Sequence, residues 1–370
     1  MTRPLIAVDA RYGLRAPRRG VGEYVYQVYR ALADLPRSYD VVLYGDGSAE
    51  PEIVKDFSAL YPVRLFPDHP FAIWEQWAWP HALRRDRAEV THGTANIGPL
   101  LWHGKIVLTV HDVIEWHRGT AFPSSIAFRH RLSRLYRMNT LKRLVRRADA
   151  ILTVSDHAQG DISRTLKISR QRIRVTPLAS KISPMAPNYR KDGYFLVLGA
   201  LDPRKNLEGA LRAFAKCQFK EVRLKVVGLE PSAVKSARAL VTQYRLDGRV
   251  DLQEMISDDA LHALYKKAMG FLYLSLYEGF GLPVLEAMAL GCPVIGSNRT
   301  AVRDAVGVDG LLVDPQNFEE VALAMDRLVR DESLRGILIQ RGLKSAEYYS
   351  WEKTAIATHE VFEEVLRAKS

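Results

Sequence analysis

The sequence predicts an α/β protein built from two doubly wound, Rossmann-like domains that face each other across a cleft. Three observations predict this class. Short apolar runs alternate with stretches of helical periodicity along the 370 residues. The runs are continuously apolar, as in the strands of parallel sheets that are covered on both faces. A segment that contains proline and lysine, residues 178–193, separates two halves that show the same alternation of strands and helices.

Each half supplies its own strands. In the first half the predicted strands are LIAVDA, DVVLYG, VRLF, EVTHG, KIVLTVHD, AILTVS and RIRVT. In the second half they are YFLVLG, VRLKVVG, RVDLQ, GFLYLS, CPVIGS and GLLVDP. Ser257 and Asp258 are candidate caps for the helix that follows RVDLQ. Because ligands of doubly wound sheets bind beyond the carboxyl ends of the strands, the loops after these strands should hold the site.

The composition is that of a globular protein with no need of cross-links. Hydrophobic residues make up 47% and charged residues 26% of the chain, whose length allows two cores. Its two cysteines, Cys217 and Cys292, lack metal-ligand spacing and indicate a reducing compartment. No apolar run has the length of a signal peptide or the roughly 18 residues of a membrane-spanning helix. A cytoplasmic protein is therefore expected.

Positive charge is concentrated in the first half. Residues 1–185 hold 28 Lys and Arg against 17 Asp and Glu, whereas residues 186–370 hold 25 of each. The formal net charge of +11 therefore comes from the first half. Such an excess predicts a polyanionic neighbour, which could be a nucleic acid, an anionic membrane or a phosphorylated ligand.

Two glutamates eight residues apart mark the main candidate site. In SLYEGFGLPVLEAMALGCPVI, Glu278 and Glu286 enclose two glycines, a phenylalanine and a proline. The strand GFLYLS ends just before them. Pro283 suits the first position of a helix, and Gly291 suits the residue that follows its end. Glu278 then lies in the loop, and Glu286 lies about one turn inside the helix.

The turn between the two glutamates is a predicted anion site. Four consecutive residues bring backbone N–H groups to the helix N-terminus, namely Gly279, Phe280, Gly281 and Leu282. The flanking carboxylates can accept hydrogen bonds from hydroxyl groups, so a sugar and a ribose on either side of a phosphate would satisfy both. The alternative is that Glu278 caps a turn and Glu286 is a solvated helix residue.

The segment YEGFGLPVLEAMA resembles the Glu-x7-Glu motif of the retaining, nucleotide-sugar-dependent glycosyltransferases of group 1, which have the GT-B fold and include bacterial mannosyltransferases and sucrose synthase. Other segments match the family in the same order, so that the resemblance covers most of the chain. They are VDARYGLRAPRRGVGEYVYQVYRALA, LTVHDVIEW, ILTVSDHAQGDI, GALDPRKNLEGALRAF, GLLVDPQNFEEVALAM and YYSWEKTA.

The resemblance implies that the two domains bind different substrates. Residues 1–180 form the acceptor-side domain, residues 181–345 bind the nucleotide sugar, and residues 346–370 form a helix that packs back toward the first domain. No cofactor is expected. No Asp-x-Asp motif occurs in the chain, so a metal-dependent site is disfavoured and no metal is expected.

Two cations are expected to hold the diphosphate. Arg204 and Lys205 follow a strand in GALDPRKN, and a guanidinium with an ammonium group suits a diphosphate. Many relatives carry an arginine nearer the strand end, where this chain has Ala200. The turn is expected to hold the diphosphate as well. Glu286 is expected to bind the ribose, and Glu278 is expected to act on the transferred sugar as a catalytic residue.

Further site residues are expected near the amino-terminal strands. The resemblance places Gly20 and Gly22, in RRGVGEY, near the donor phosphates or the acceptor; a plain turn is the alternative. It also makes His111, which follows KIVLTV, a catalytic residue that helps to stabilise the oxocarbenium charge. A structural His111–Asp112 pair is the alternative.

Two other segments carry weaker signals. Trp74, Trp77 and Trp79 lie close together and are expected in the core more than on sugars or lipid headgroups. Residues 128–149 carry eight Lys and Arg with no acid before Asp149, which is typical of a surface-lying basic helix or of a solvated face.

The leading hypothesis is a hexosyltransferase, with mannose from GDP-mannose as the first donor and a lipid-linked, lipopolysaccharide or exopolysaccharide glycan as acceptor. The inner face of the cytoplasmic membrane is a candidate location. One alternative is a non-transferring enzyme of the same fold, such as a nucleotide-sugar epimerase or a phosphorylase. The other is a nucleic-acid binder, which the charge suggests but no recognition motif supports, so no nucleic-acid partner is expected.

Overall fold

The computed structural model describes residues 3–18, 20–117 and 128–368. Within them the chain divides into two compact units. The first contains the residues up to Trp116, residues 128–178 and residues 350–368, and the second contains His117 and residues 179–349. No helix in the described ranges is both long and apolar enough to cross a membrane.

The first unit is built on a parallel sheet with the strand order β3-β2-β1-β4-β5-β6-β7. Its strands are β1 (Leu5–Asp9), β2 (Asp40–Asp46), β3 (Val63–Phe66), β4 (Val90–Gly93), β5 (Lys105–Thr109), β6 (Ala150–Thr153) and β7 (Ile173–Val175). All seven were predicted from the sequence. The order reverses between β1 and β4, and ligands of such sheets bind beyond this switch point.

Helices cover the first sheet. They are α1 (Val21–Ala33), α2 (Pro51–Ser58), α3 (Phe71–Ile73), α4 (Trp79–Arg85), α5 (Phe128–Arg147) and α6 (Asp156–Leu166). A π-helical turn, Trp74–Ala78, joins α3 to α4. The Ser155 hydroxyl caps α6 by accepting the N–H of Ala158 at 3.0 Å.

The second unit has a parallel sheet with the order β10-β9-β8-β11-β12-β13. The strands are β8 (Tyr194–Leu198), β9 (Arg223–Leu229), β10 (Val250–Glu254), β11 (Gly270–Tyr273), β12 (Val294–Ser297) and β13 (Leu311–Val313). These six strands were also predicted. The switch point lies between β8 and β11, so the loops that follow these two strands meet at one place on the sheet edge.

The helices of the second unit follow its strands. They are α7 (Leu207–Lys216), α8 (Pro231–Gln243), α9 (Asp258–Lys267), α10 (Leu282–Ala289), α11 (Thr300–Val306), α12 (Phe318–Arg330) and α13 (Glu332–Tyr348). Ser257 caps α9 as expected, because its hydroxyl accepts the N–H of Ala260 at 3.3 Å. The segment that separates the two halves, residues 178–193, is irregular. It is tied to this unit by Lys191, which donates to the carbonyls of Lys266 and Gly291.

The last helix, α14 (Trp351–Arg367), belongs to the first unit and packs against α1, β5 and β6. Tyr39 and His359 share a hydrogen bond of 2.9 Å, and Arg174 donates to Glu364 at 3.0 Å. Phe362 is fully buried beside Tyr39. The helix is thus a structural layer of the first unit.

The three clustered tryptophans separate into two environments. Trp74 and Trp79 are buried and stack with ring centroids 6.0 Å apart, so the core prediction describes them. Trp77, on the π-helical turn between them, is 64% exposed. The core prediction is therefore wrong for Trp77. In a π-helical turn residues about five apart lie above one another, so Trp74 and Trp79 share a face that Trp77 does not.

Candidate active site

The loop between β11 and α10 has the predicted geometry with one shift. Helix α10 begins at Leu282, so Pro283 occupies its second position instead of the first. Gly281 precedes the helix at φ 127°, a backbone conformation that favours glycine, and Gly291 follows the helix end at φ 67°. Glu278 is therefore in the loop and Glu286 is in the second turn of the helix.

Lys205 and Glu278 meet at the switch point of the second sheet. Lys205 Nζ lies 2.7 Å from Glu278 Oε1 and 3.4 Å from the Tyr273 hydroxyl. The side chains of Lys205 and Glu278 are only 30% and 15% exposed. Tyr273 is buried, which raises the pKa of its phenol well above the ordinary value, so the phenol stays neutral. A cation and a carboxylate are thus held together at the edge of the sheet where ligands of such folds bind.

Backbone contacts hold the two loops in this position. The N–H of Leu276 donates to the carbonyl of Arg204 at 2.7 Å, which ties the loop after β11 to the loop after β8. The side chain of Asn206 donates to the carbonyls of Leu274 and Pro315. These hydrogen bonds fix the backbone of both loops, so the closeness of Lys205 and Glu278 does not depend on side-chain conformation alone.

Arg204 is engaged differently from Lys205. Its Nε lies 2.8 Å from Asp202 Oδ2, and its backbone N–H donates to the same carboxylate. Burial of Asp202 opposes ionisation, but the hydrogen bonds from Arg204 outweigh it and lower the pKa of Asp202. Arg204 would have to leave this carboxylate, or share it, to bind a diphosphate.

Thr300 is a residue of this site that sequence reasoning missed. Its hydroxyl accepts the backbone N–H of Glu278 at 3.1 Å. It also has φ 53°, which is unusual for a β-branched residue and costs backbone energy. Such strain clusters at functional sites. The local sequence SNRTAV gives no sign of this conformation, since the strain arises from the fold around it.

Glu286 lies half-buried on α10 near α9. The buried Tyr265 of α9 has its pKa raised by burial first and by the Glu286 charge second, so the two side chains are close. Residues 279–282, which form the turn before α10 and its first residue, lie between Glu278 and Glu286 in the sequence. The arrangement thus keeps the two carboxylates in different surroundings.

His111 follows β5 in the first unit and is held by two hydrogen bonds. Its backbone N–H donates to Asn96 Oδ1 at 2.7 Å, and its Nε2 lies 2.8 Å from the carbonyl oxygen of Thr94. A carbonyl only accepts, so Nε2 carries the proton. Burial lowers the pKa of the imidazole to about 4, against the raising effect of the Thr94 hydrogen bond. The ring is therefore neutral at neutral pH, with Nδ1 unprotonated.

Two family models match the chain one after the other. The model described as Glycosyltransferase Family 4 matches residues 18–179, and the model described as Glycosyl transferases group 1 matches residues 181–345. The chain belongs to the group 1 glycosyltransferases.

Relatives of this glycosyltransferase include bacterial mannosyltransferases. It is 33% identical over 231 residues to the O-antigen chain mannosyltransferase B of Escherichia coli, a match that covers 57% of this chain and 59% of that protein. It is 27% identical to the serotype-specific mannosyltransferase WbdA of Escherichia coli, over 71% of this chain and 34% of that protein. The MMP alpha-(1->4)-mannosyltransferase of Mycolicibacterium hassiacum is 29% identical, over 76% of this chain and 72% of that protein. The glycosyltransferase thus spans about three-fifths and one-third of the two Escherichia coli relatives.

Solved structures show that the glycosyltransferase has the GT-B fold. Sucrose-phosphate synthase from Thermosynechococcus elongatus superposes with a TM-score of 0.77 at 21% identity, over 99% of this chain and all of that chain. WaaG, a glycosyltransferase involved in lipopolysaccharide biosynthesis, gives a TM-score of 0.72 at 16% identity, over 96% of this chain and 99% of that one. The predicted fold class is confirmed.

The glycine loop of the glycosyltransferase has a structural explanation. Gly20 precedes α1 with φ 49°, and a Cβ on Gly22 would lie 2.7 Å from the carbonyl oxygen of Tyr12. Gly22 therefore permits the close approach of α1 to the loop after β1. A role of Gly20 and Gly22 in binding donor or acceptor stays a prediction.

Glu75 is a second residue of the glycosyltransferase that sequence reasoning missed. It is 1% exposed on the π-helical turn, where Oε2 accepts the hydroxyl of Tyr136 at 2.9 Å. Burial raises the pKa of its carboxyl to about 8, so the group is largely protonated at neutral pH. Glutamate is almost never fully buried without a partner, so the residue type alone gives no sign of this position.

Proposed function

We propose that this protein transfers a hexose, with retention of configuration, from a nucleotide sugar to a lipid-linked, lipopolysaccharide or exopolysaccharide glycan. Mannose from GDP-mannose is the first donor to consider, because the relatives named above are mannosyltransferases. The observation that carries the proposal is the Lys205–Glu278 pair at the switch point, beside the turn that starts α10.

The chemistry follows from the charges at that place. As the bond between the sugar C1 and the diphosphate breaks, negative charge grows on the leaving phosphate. Lys205 and the backbone N–H groups at the start of α10 can stabilise it without a metal ion. In the proposed same-face attack, the acceptor oxygen bonds to C1 and its proton passes to the departing phosphate oxygen.

Glu278 and His111 are the proposed catalytic residues. Glu278 is paired with Lys205 before donor binds, so the incoming diphosphate competes for the ammonium group and leaves the carboxylate for sugar hydroxyls. His111 is neutral and its Nδ1 is unprotonated, so it adds no positive charge that would oppose an oxocarbenium ion. Both features support the roles that the family resemblance implies.

A thermal-shift screen with GDP, UDP, ADP and their sugars tests the proposal. We expect GDP and GDP-mannose to raise the Tm most, since a ligand at 100 times its Kd stabilises the folded state by about 2.7 kcal/mol. NMR of the product should show the anomeric configuration of the donor. Absence of stabilisation by any nucleotide would argue against the proposal. Release of an altered nucleotide sugar without acceptor would favour the epimerase.

A peripheral membrane location is the second part of the proposal. Helix α5 carries exposed cations, including Lys142 and Arg143, and its Leu132 and Leu135 are 52% and 53% exposed. Gln76, beside the exposed Trp77, contacts the Tyr136 hydroxyl of α5 at 3.3 Å, so the π-helical turn adjoins this helix. Exposed apolar side chains beside cations are typical of surfaces that bind anionic lipid.

We expect the protein to bind vesicles of phosphatidylglycerol and phosphatidylcholine, and to bind pure phosphatidylcholine vesicles much less. Lys142→Ala and Arg143→Ala should each weaken binding about fivefold, because a basic residue near an anionic surface contributes about 1 kcal/mol. Salt should screen the attraction. Lys55→Ala, on α2, is the matched control in a flotation assay. Equal binding to both vesicle types, or to neither, would exclude this location.

A further inference from the structure

A cavity of about 230 Å³ lies in the first unit beyond the carboxyl ends of β1, β2 and β3. Charged residues and the rings of Tyr12 and Phe71 line it, with the Arg15 guanidinium 5.6 Å from the Tyr12 ring centroid and the Arg11 guanidinium 5.8 Å from the Phe71 ring centroid. Its charged lining residues are Arg11, Arg15, Asp46 and Asp68. Sequence reasoning singled out none of these residues, and the proposed function does not use them. The volume is below the roughly 300 Å³ at which pockets for drug-sized ligands begin, so one small ligand is the expected occupant.

The two guanidinium groups of the cavity are already neutralised. Arg11 Nε and Nη2 each lie 2.9 Å from a carboxylate oxygen of the fully buried Asp9. Arg15 is paired with Asp46. The exposed carboxylate of Asp68 adds a further negative charge. An anion would gain little from these paired arginines and would be repelled by the carboxylates, so the charge balance favours a neutral ligand.

The remaining hydrogen-bonding groups suit a polyol. Arg11 is 5% exposed, and its Nη1 makes no hydrogen bond to any described residue. This nitrogen can donate to a hydroxyl, whereas Asp46 and Asp68 can accept from hydroxyls. Tyr12 and Phe71 supply aromatic carbon that the apolar side of a sugar ring can contact. Donors, acceptors and aromatic rings around one small cavity are the groups that a monosaccharide needs.

A second cavity shares two lining residues with the first and is lined by residues next to His111. It has a volume of about 130 Å³ and shares Tyr12 and Phe71 with the first. Its lining includes Asn96 and Asp112, and Asn96 accepts the backbone N–H of His111. The loops of β1 and β4 that line it flank the switch point of the first sheet, where ligands bind. Only the second cavity is thus lined by neighbours of His111, and Tyr12 and Phe71 form a wall common to both cavities.

We propose that the 230 Å³ cavity is a subsite for a neutral sugar residue of the acceptor glycan, one residue further from His111 than the sugar bound in the 130 Å³ cavity. This inference rests on the proposed function, because it takes the acceptor to be a glycan. The inference goes beyond that function in stating that the protein contacts at least two sugar residues of the acceptor. A single sugar would leave one of the two cavities without a ligand and would bind more weakly.

The test is a titration of the whole protein with methyl glycosides of mannose, glucose, galactose and rhamnose and with the corresponding disaccharides, followed by saturation-transfer NMR. We expect one disaccharide to bind at least tenfold more tightly than its methyl monosaccharide. Asp68→Ala should remove most of this difference in affinity, because Asp68 lines the 230 Å³ cavity and not the 130 Å³ cavity. Phe71→Leu, in the common wall, should weaken both ligands. Asp56→Ala, an exposed aspartate of α2 outside both cavities, is the matched control.

Inorganic phosphate is the probe for an anion site. We expect phosphate neither to bind in the millimolar range nor to displace the disaccharide. Phosphate binding that improves in Asp68→Ala would overturn the inference in favour of an anionic ligand. A panel in which no saccharide binds in an Asp68-dependent way would overturn it as well. The nucleotide screen separates the two proposals: nucleotide binding without a sugar subsite refutes only the inference, whereas Asp68-dependent sugar binding without nucleotide binding refutes the proposed transfer.

Discussion

The Lys205→Ala variant is expected to bind nucleoside diphosphates roughly 10- to 150-fold more weakly than the wild type, the range that corresponds to a charge-assisted contact of about 1.5–3 kcal/mol. Lys205 Nζ lies 2.7 Å from Glu278 in a place that is mostly shielded from water. Its attraction for phosphate is therefore less screened than that of an exposed lysine. Binding of the nucleoside alone, which lacks phosphate, should hardly change.

Isothermal titration with the diphosphate and the nucleoside measures both quantities. Lys216→Ala is the matched control, because Lys216 forms an ion pair of 2.8 Å with Glu319 on the surface of the same unit. Activity of the wild type should also persist in EDTA. Equal losses for diphosphate and nucleoside would place Lys205 outside the phosphate site, and EDTA-sensitive activity that Mg²⁺ restores would contradict the metal-free mechanism.

The two glutamates should give separable defects. Glu278→Gln should lower kcat by an order of magnitude or more, because a carboxylate on the transferred sugar contributes most when that sugar becomes charged. Its affinity for the diphosphate should be unchanged or higher, because Lys205 loses its carboxylate partner. Glu286→Ala should instead weaken diphosphate binding and raise the donor KM, since a ribose contact is the same in ground and transition states.

Steady-state kinetics and diphosphate titration of each variant measure these effects. Glu319→Gln, which changes the surface partner of Lys216, is the matched control. Circular dichroism should show that both variants are folded. If Glu278→Gln loses diphosphate affinity as severely as Glu286→Ala, the two carboxylates do not flank the donor as proposed.

Features set by local sequence could be predicted. Most of the thirteen strands appear as continuous apolar runs, whereas charged residues interrupt β3, β7, β9 and β10. Ser257 marks a helix start through its hydroxyl, and Pro283 and Gly291 mark helix ends through their backbone preferences. The turn after β11 was found in the same way, because the glycines and the proline that shape it are neighbours in sequence.

Features set by distant contacts could not be predicted. The strain of Thr300 and its hydrogen bond to Glu278 depend on how the loops after β11 and β12 meet. The burial of Glu75 depends on Tyr136, 61 residues away in sequence. The ion pair between Arg204 and Asp202 joins residues that are close in sequence. Residue types alone do not reveal whether the free energy of this pair exceeds that of an Arg204 contact with a ligand.

The position of α14 affects how the protein folds during synthesis. Amino-terminal domains usually fold first as a chain leaves the ribosome. Here the first unit lacks one of its layers until residues 351–367 have been made, after the whole second unit. Until then Tyr39 and the face of α1 that packs against α14 lack the cover of this helix. We therefore expect a nascent or truncated chain to expose apolar surface there.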